Sequence, residues 1–108
     1  MKRAVAIIIF GLISAVSLSA GQLYGSLRED GRSLPANVVF EIRCRGQSYR
    51  GQTDGNGAFA INAEKGRCTL VVYYKGQSQT ADIFSYDNPV RYDFDLVLVN
   101  GQYTLRRM

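Results

Sequence analysis

The chain has 108 residues, with 13 Lys and Arg against 9 Asp and Glu, two cysteines, and neither histidine nor tryptophan. Without histidine, no Ser-His-Asp or Cys-His catalytic set can form, and the usual Cys/His zinc sites are excluded. The formal net charge is +4, but neither a nucleic-acid motif nor a phosphate-binding loop accompanies it, so no nucleic-acid partner is expected.

The first segment has the pattern of a secretory signal rather than of a folded element. Lys2 and Arg3 form its charged start, residues 4–16 its apolar core, and residues 18–20 its small-residue exit. Cleavage is expected after Ala20, with Ser17 as the second choice.

Residues 1–20 are therefore predicted to be a cleavable signal peptide, and residues 21–108 one exported domain, secreted or periplasmic. The apolar core of the signal, at about 13 residues, is short for a bilayer span. Gly21 stands where a bacterial lipoprotein carries its acylated cysteine. No stable membrane insertion is expected after cleavage.

Beyond the signal, the pattern is one of short strands and turns, with no helical periodicity. The predicted strands, in chain order, are residues 22–28, 37–45, 47–52, 58–62, 67–75, 77–84, 90–99 and 102–106. The segment 47–52 is polar, which is typical of an edge strand, and Asn100-Gly101 is a type I′ hairpin signal. Spacings of about ten residues predict an all-β fold, a single antiparallel Greek-key β-sandwich of about seven strands.

The two cysteines lie on apolar faces of the two strongest strands. Strict alternation places Cys44 with Phe40 and Ile42, and Cys68 with Leu70. An even number of cysteines in a small exported domain is typical of a disulfide. A redox or metal pair is the alternative, but the wide spacing and the missing histidine do not favour it. We expect a structural disulfide between Cys44 and Cys68.

Four segments then follow in a characteristic order. They are Gly25-Ser26-Leu27, Leu34-Pro35-Ala36-Asn37-Val38, Thr53-Asp54-Gly55-Asn56-Gly57-Ala58-Phe59, and Gly66-Arg67-Cys68-Thr69-Leu70-Val71-Val72. This series resembles the carboxypeptidase regulatory-like family, within the transthyretin-like (prealbumin-like) β-sandwiches. The resemblance covers about residues 22–84 and implies a fold more than a function.

The segment 53–59 is predicted to be a tight turn that leads into a strand. Asp54 and Asn56 tolerate turn geometry, the glycines supply positive φ, and Phe59 is expected in the core. Asp54 and Asn56 also resemble the start of a calcium loop. Ala58 and Phe59 follow where further oxygen ligands would be needed, so the turn is favoured and no metal site is predicted.

No catalytic residue or cofactor is predicted. The transthyretin-like fold also includes a hydroxyisourate hydrolase, whose site needs histidines and a terminal Tyr-Arg-Gly-Ser. This chain has no histidine and ends in residues 103–108 of different sequence, so that activity does not carry over. Asp93 and Asp95 share one strand face, where exposed solubilising charge explains them better than acid–base chemistry. The chain is not expected to be an enzyme.

Five arginines could form a local basic patch, but we interpret them as solvated strand faces and a frayed tail. They are Arg43, Arg45, Arg50, Arg106 and Arg107.

A binding role remains, in two versions. The first is an exported, non-catalytic accessory or structural module that binds other envelope or secreted proteins, through the polar edges at residues 47–52 and 77–80. The alternative is a carbohydrate-binding module that stacks sugars on exposed tyrosines. The candidate ligand-binding residues for that alternative are Tyr49, Tyr73, Tyr86 and Tyr103. The missing tryptophan and the available edges favour a protein partner over a sugar.

Overall fold

Strands make up most of the chain that the computed structural model describes, which is residues 20–108. The predicted signal segment lies outside these residues, apart from Ala20, with which the first strand begins. Within the described range, no helix is long and apolar enough to cross a membrane.

Alternating apolar and polar residues produce nine strands in residues 20–108. They are β1 (Ala20–Glu29), β2 (Arg32–Ser33), β3 (Val39–Cys44), β4 (Gln47–Gln52), β5 (Ala58–Glu64), β6 (Gly66–Tyr74), β7 (Gln77–Ser85), β8 (Val90–Val99) and β9 (Gln102–Arg107). Eight of them coincide closely with the predicted strands. The ninth, β2, was not predicted, because two polar residues carry no periodicity.

The strands form two packed sheets. In the first sheet, β1 lies between β8 and the two strands β2 and β5, and β9 pairs with β8. The order in the second sheet is β4-β3-β6-β7. The predicted all-β sandwich is confirmed, and the polar strand β4 does lie at an edge.

One pairing departs from the antiparallel prediction. Every strand pair is antiparallel except β1 with β8, which is parallel, with Leu23 opposite Val90 and Glu29 opposite Leu96. Parallel neighbours require a long connection, which here consists of β2, β5 and the whole second sheet. Alternation within a strand says nothing about which distant strand will lie beside it.

The core lies between the sheets and consists of the residues that alternation places inside. Phe40 and Phe59 meet edge to face with ring centroids 5.4 Å apart and are almost fully buried. Gly51 lies against the Phe40 ring, where an added Cβ would come within 2.7 Å of Cζ. The prediction that Phe59 fills the core is confirmed.

Thr53 joins the segment 53–59 to the segment 34–38. Its hydroxyl donates to the Pro35 carbonyl oxygen at 2.7 Å and accepts from the Val38 amide at 3.0 Å. Backbone bonds from the Thr53 amide to the Val38 oxygen and from the Asn37 amide to the Thr53 oxygen complete the contact. Thr53 is 3% exposed, and this buried hydroxyl is fully satisfied by the segment that connects β2 to β3.

Asp54 shapes the turn itself. Its Oδ1 accepts the amide hydrogens of Asn56 at 2.8 Å and Ala58 at 2.9 Å. These backbone hydrogen bonds, Ala58 first, hold the pKa of the Asp54 carboxyl below its usual value. The predicted tight turn is present, and the structure adds that the Asp54 carboxylate stabilises it through these two backbone hydrogen bonds.

Gly57 occupies a position that a side chain would disrupt. It has φ of +73°, and a Cβ there would lie 2.7 Å from the Leu27 oxygen and 2.9 Å from the Leu34 nitrogen. The Gly57 oxygen accepts from the Leu27 amide at 2.8 Å, and the Leu27 oxygen accepts from the Leu34 amide at 3.0 Å. The three backbones therefore approach as closely as glycine permits.

The disulfide joins directly opposed residues of neighbouring strands. Cys44 on β3 is paired in register with Cys68 on β6, and their Cα atoms are 4.2 Å apart. The predicted bridge is confirmed, and it lies within the second sheet, at the end of β3 remote from the Thr53 turn.

We predict that Gly57→Ala lowers the free energy of unfolding by at least about 2 kcal/mol, because it combines a strained φ with backbone overlap. Urea denaturation followed by circular dichroism measures the change. Gly55→Ala is the matched control in the same turn, since a Cβ at Gly55 meets nothing within 4 Å. Equal losses from the two substitutions would contradict the structural role given to Gly57.

We predict that replacing both cysteines, as Cys44→Ala with Cys68→Ala, lowers the free energy of unfolding by about 3 kcal/mol, as loop closure over a separation of 24 residues implies. A reducing agent should shift the urea midpoint of the natural protein in the same direction. It should leave the midpoint of the double variant unchanged, and a shift there would rule out the disulfide as the target of reduction.

Candidate binding surface

The four tyrosines proposed for ligand binding do not lie together. Tyr103 is buried, at 5% exposure, Tyr49 and Tyr73 are half-buried, and Tyr86 alone among them is freely exposed, at 53%. Tyr49 and Tyr103 pack with the core. Their assignment as exposed sugar-stacking rings does not fit these positions, because each has an apolar ring and a polar tip that the sandwich itself uses.

Tyr103 and Tyr74 use their hydroxyls to hold Glu29 at one end of the sandwich. Both donate to the Glu29 carboxylate, Tyr74 at 2.9 Å, and Lys75 lies 3.5 Å from it. The Tyr103 hydroxyl, followed by that of Tyr74, holds the Glu29 pKa below its usual value. Through the same bond to Glu29, the pKa of Tyr103 is raised. This cluster ties β1 and β9 of one sheet to β6 of the other.

Two further tyrosines close the seams between the sheets. The Tyr49 hydroxyl accepts from the Glu64 amide at 3.1 Å, which joins β4 to β5. The Tyr92 hydroxyl accepts from the Phe84 amide at 2.9 Å and donates to the Phe84 oxygen at 3.3 Å, which joins β8 to β7. The tyrosine content thus reflects polar closure of the sandwich as much as recognition.

Tyr73 lies on the outer face of the second sheet within a charged cluster. Its hydroxyl donates to Glu41 at 3.0 Å, Arg43 pairs with the same carboxylate at 3.0 Å, and the Arg50 guanidinium lies 5.6 Å from the ring centroid. The Tyr73 hydroxyl is the main cause that lowers the Glu41 pKa. Tyr73 is therefore held by side chains of the same sheet.

Phe84 and Tyr86 form an exposed aromatic pair. Their rings stack with centroids 5.7 Å apart and an interplanar angle of 20°, and Phe84 is 40% exposed. The Arg67 guanidinium lies 5.9 Å from the Phe84 centroid. Sequence analysis did not select Phe84, although alternation along β7 places it on the outer face with Thr80 and Asp82. The signal in the sequence is that Phe84 is a large apolar residue at a position of the alternation that is otherwise polar.

A basic groove of about 510 Å³ lies beside this aromatic pair. Its lining residues are Arg43, Cys44, Arg45, Lys65, Gly66, Arg67 and Thr69. Four of these are cationic and none is acidic. The groove lies at the ends of β3 and β6, around the disulfide.

The five arginines, which sequence analysis interpreted as solvated strand faces and a frayed tail, divide between two places in the fold. Arg43 and Arg45 meet in the basic groove, joined by Lys65 and Arg67, which the sequence argument did not include. Arg106 and Arg107 instead belong to β9 in the other sheet and are not a frayed tail. Their side chains are used there: Arg106 lies 3.4 Å from Asp95, and Arg107 lies 4.4 Å from the Tyr92 ring centroid.

The acidic pair on β8 also differs from expectation. Asp95 is 5% exposed and accepts the Gly31 amide at 3.0 Å. Asp93 accepts from both the amide and the hydroxyl of Ser26, and from Arg91. Exposed solubilising charge is thus the wrong description, because these carboxylates bind backbone and side-chain donors across the first sheet.

Comparison with known proteins supports the fold. No family model matches the chain, and no curated protein matches it. Among solved structures, the Bacillus anthracis TIE protein superposes with a TM-score of 0.61 at 13% identity, over 73% of this chain and 16% of that one.

Two Bacteroides proteins give similar matches. A candidate cell adhesion protein from Bacteroides fragilis has a TM-score of 0.55 at 8% identity, over 83% of this chain and 45% of that one. A candidate carbohydrate binding protein from Bacteroides uniformis has a TM-score of 0.50 at 12% identity, over 69% of this chain and 40% of that one. The chain spans less than half of each structure, and identities this low establish the β-sandwich fold alone.

We predict that Glu29 contributes to the pH dependence of stability. Because its pKa is lower in the folded state than its usual value of 4.5, its stabilising effect is present above about pH 4.5 and is lost as pH falls through the folded-state pKa. Glu29→Gln should therefore show a smaller loss of stability between neutral and acid pH. Urea midpoints measured across this range for both proteins provide the test. Parallel pH curves would contradict a role for Glu29, since the other perturbed carboxylates are common to both proteins.

Proposed function

We propose that this chain is an exported, non-catalytic module that binds other envelope or secreted proteins. The observation that carries the proposal is the aromatic pair of Phe84 and Tyr86 beside Arg67, uncovered on the outer face of an edge strand. The groups at this surface are rings and cations, which stack, attract and donate hydrogen bonds. That is the chemistry of recognition.

The composition of this surface favours a protein partner. Tyrosine and arginine are enriched among the residues that contribute most to protein–protein affinity. Phe84 and Tyr86 are 40% and 53% exposed, and their rings stack at the end of β7, Phe84 within the strand and Tyr86 just beyond it. Burying two such rings removes a large apolar area from water, which is the main driving force for association.

Contact through side chains fits this end of β7 better than addition of a strand. The Tyr92 hydroxyl occupies both the amide and the carbonyl of Phe84, so these edge groups are already paired. A partner that approaches here meets the faces of the aromatic rings. Strand addition fits the outer edge of β4 instead. Among residues 20–108, β4 pairs with β3 alone, so its other edge can accept a strand of a partner.

The disulfide supports export, since such bridges persist in oxidising compartments such as the periplasm or the extracellular space. Hydrogen bonds between Thr53 and residues 34–38 join two of the segments that resemble motifs of the carboxypeptidase regulatory-like family. We accordingly propose membership of that family. The resemblance carries no activity with it.

Carbohydrate binding is the second candidate, because an exposed aromatic pair is also what sugar rings stack on. One structural neighbour is described as a candidate carbohydrate binding protein. The two rings stack on each other, however, so a sugar could stack only on a ring face that points away from the other ring. A glycan array probed with the exported protein tests this candidate, and specific glycan binding that Tyr86→Ala abolishes would place it ahead of the protein partner.

We predict that Phe84→Ala with Tyr86→Ala reduces capture of the protein partner from an envelope fraction by at least about tenfold, as expected when interface anchors are removed. Quantitative mass spectrometry of the captured proteins measures the effect. The matched control is Leu98→Ala with Val99→Ala, which removes two side chains of similar exposure, 54% and 52%, from the β8–β9 hairpin.

The control variant should capture the partner as well as the natural protein does. Circular dichroism checks that both variants are folded. Failure of the natural protein to retain any partner, or equal losses in the two variants, would contradict the proposed function at this surface.

A further inference from the structure

The basic groove is a concentration of positive charge that the fold neutralises only in part. Arg43 is paired with Glu41 at 3.0 Å and Lys65 with Asp87 at 3.2 Å. Within residues 20–108, Arg45 and Arg67 form no ion pair with a carboxylate within 4 Å. Two guanidinium groups therefore remain available to an external anion.

These two arginines line the groove from neighbouring segments of the chain. Cys44 and Cys68 are paired across β3 and β6, and the residues one step beyond them are Arg45, in the turn after β3, and Arg67, on β6. Like charges that face each other across neighbouring strands are destabilising. An anion bound between them would relieve this repulsion, so the site is electrostatically complementary to negative charge.

The floor of the groove is rigid. Cys44 is one of its lining residues, and the disulfide holds the ends of β3 and β6 at a Cα separation of 4.2 Å. Arg67 is further restrained by the Phe84 ring beneath its guanidinium. Groups that are already held in place lose little conformational freedom on binding, which favours affinity.

Arg67 also connects the groove to the aromatic pair of Phe84 and Tyr86. A ligand that reaches both must carry negative charge at one end and apolar or aromatic groups a few ångströms away. An extended peptide segment supplies both, because alternate side chains on one face repeat about every 7 Å. Inorganic phosphate supplies only the charge.

We propose that the groove formed by Arg43, Arg45, Lys65 and Arg67 binds an acidic segment of the partner protein, with carboxylates seated between Arg45 and Arg67. This rests on the proposed protein-binding function and names the chemistry of the partner at that surface. Each guanidinium can donate a bidentate pair of hydrogen bonds to a carboxylate. The aromatic pair binds the apolar residues next to the acidic ones.

Fluorescence anisotropy with the full chain, exported with its disulfide formed, tests the proposal. The probe is a labelled polyglutamate peptide of about twelve residues, long enough to cross the groove when extended. Binding should weaken strongly between about 20 and 150 mM salt, since exposed charges are screened over this range. Polylysine of the same length should not bind.

Arg45→Glu with Arg67→Glu should weaken polyglutamate binding by at least about tenfold, because two attractions become repulsions. Arg32→Glu with Arg107→Glu is the matched control, since it makes the same change in net charge on the other sheet, at two exposed arginines that form no ion pair with a carboxylate within residues 20–108. The control should bind nearly as tightly as the natural protein. Equal weakening in both variants would overturn the site, because only net charge would then matter.

Two other probes identify the source of the anion. Tighter binding of dextran sulfate or of inorganic phosphate than of polyglutamate, lost in the Arg45 and Arg67 variant, would overturn the acidic peptide in favour of a polysaccharide or a phosphate. Capture of the partner separates this proposal from the proposed function. If the Arg45 and Arg67 variant captures the partner protein undiminished, the groove assignment alone is wrong. If polyglutamate binds at the groove but no protein is captured, the proposed function is wrong.

Discussion

The buried hydroxyl of Thr53 is the contact on which the arrangement of the two sheets depends. Residues 34–38 carry the chain from the first sheet to the second, and residues 53–57 carry it back. Thr53 bonds to Pro35 and Val38 and so ties these two crossings side by side. Because the hydroxyl is both donor and acceptor in a buried site, valine at this position would keep the shape and lose both bonds. Gly57 then lets the returning chain touch Leu27 and Leu34, which aligns β5 against β1.

The same contact helps to position the proposed binding surface, although that surface lies at the opposite end of β3. This strand is held at its beginning, beside Val38, by the Thr53 contact, and at its end by the Cys44–Cys68 bridge. A strand fixed at both ends has one register and one orientation of its side chains. Arg43 therefore has to point outward, into the groove, while Ile42 stays in the core. The Thr53 turn acts on this surface only through β3, whose beginning it holds.

Local patterns predicted local structure well and long-range partners poorly. Alternation located the long strands and both cysteine faces, since a period of two reports directly on which side is buried. The parallel pairing of β1 with β8 was missed, because it brings together residues more than sixty positions apart and alternation carries no information about neighbours. The burial of Asp95 and Tyr103 was missed for the same reason: each is satisfied by a distant group, Gly31 or Glu29. Phe84 could be read from its register, because it is the one large apolar side chain among the polar outward positions of β7, after Thr80 and Asp82.

The tyrosines show how residue type can point to recognition while position assigns another task. A tyrosine suits the seam of a small sandwich, because its ring adds to the core and its hydroxyl reaches a backbone group that a sheet edge leaves unpaired. Tyr49 does this at one seam and Tyr92 at the other. Tyr86 has no such task. Within residues 20–108 its hydroxyl has no hydrogen-bond partner, and its ring stacks on Phe84. The proposed binding surface therefore consists of two rings that the fold leaves exposed, next to Arg45 and Arg67, which form no ion pair with a carboxylate within residues 20–108.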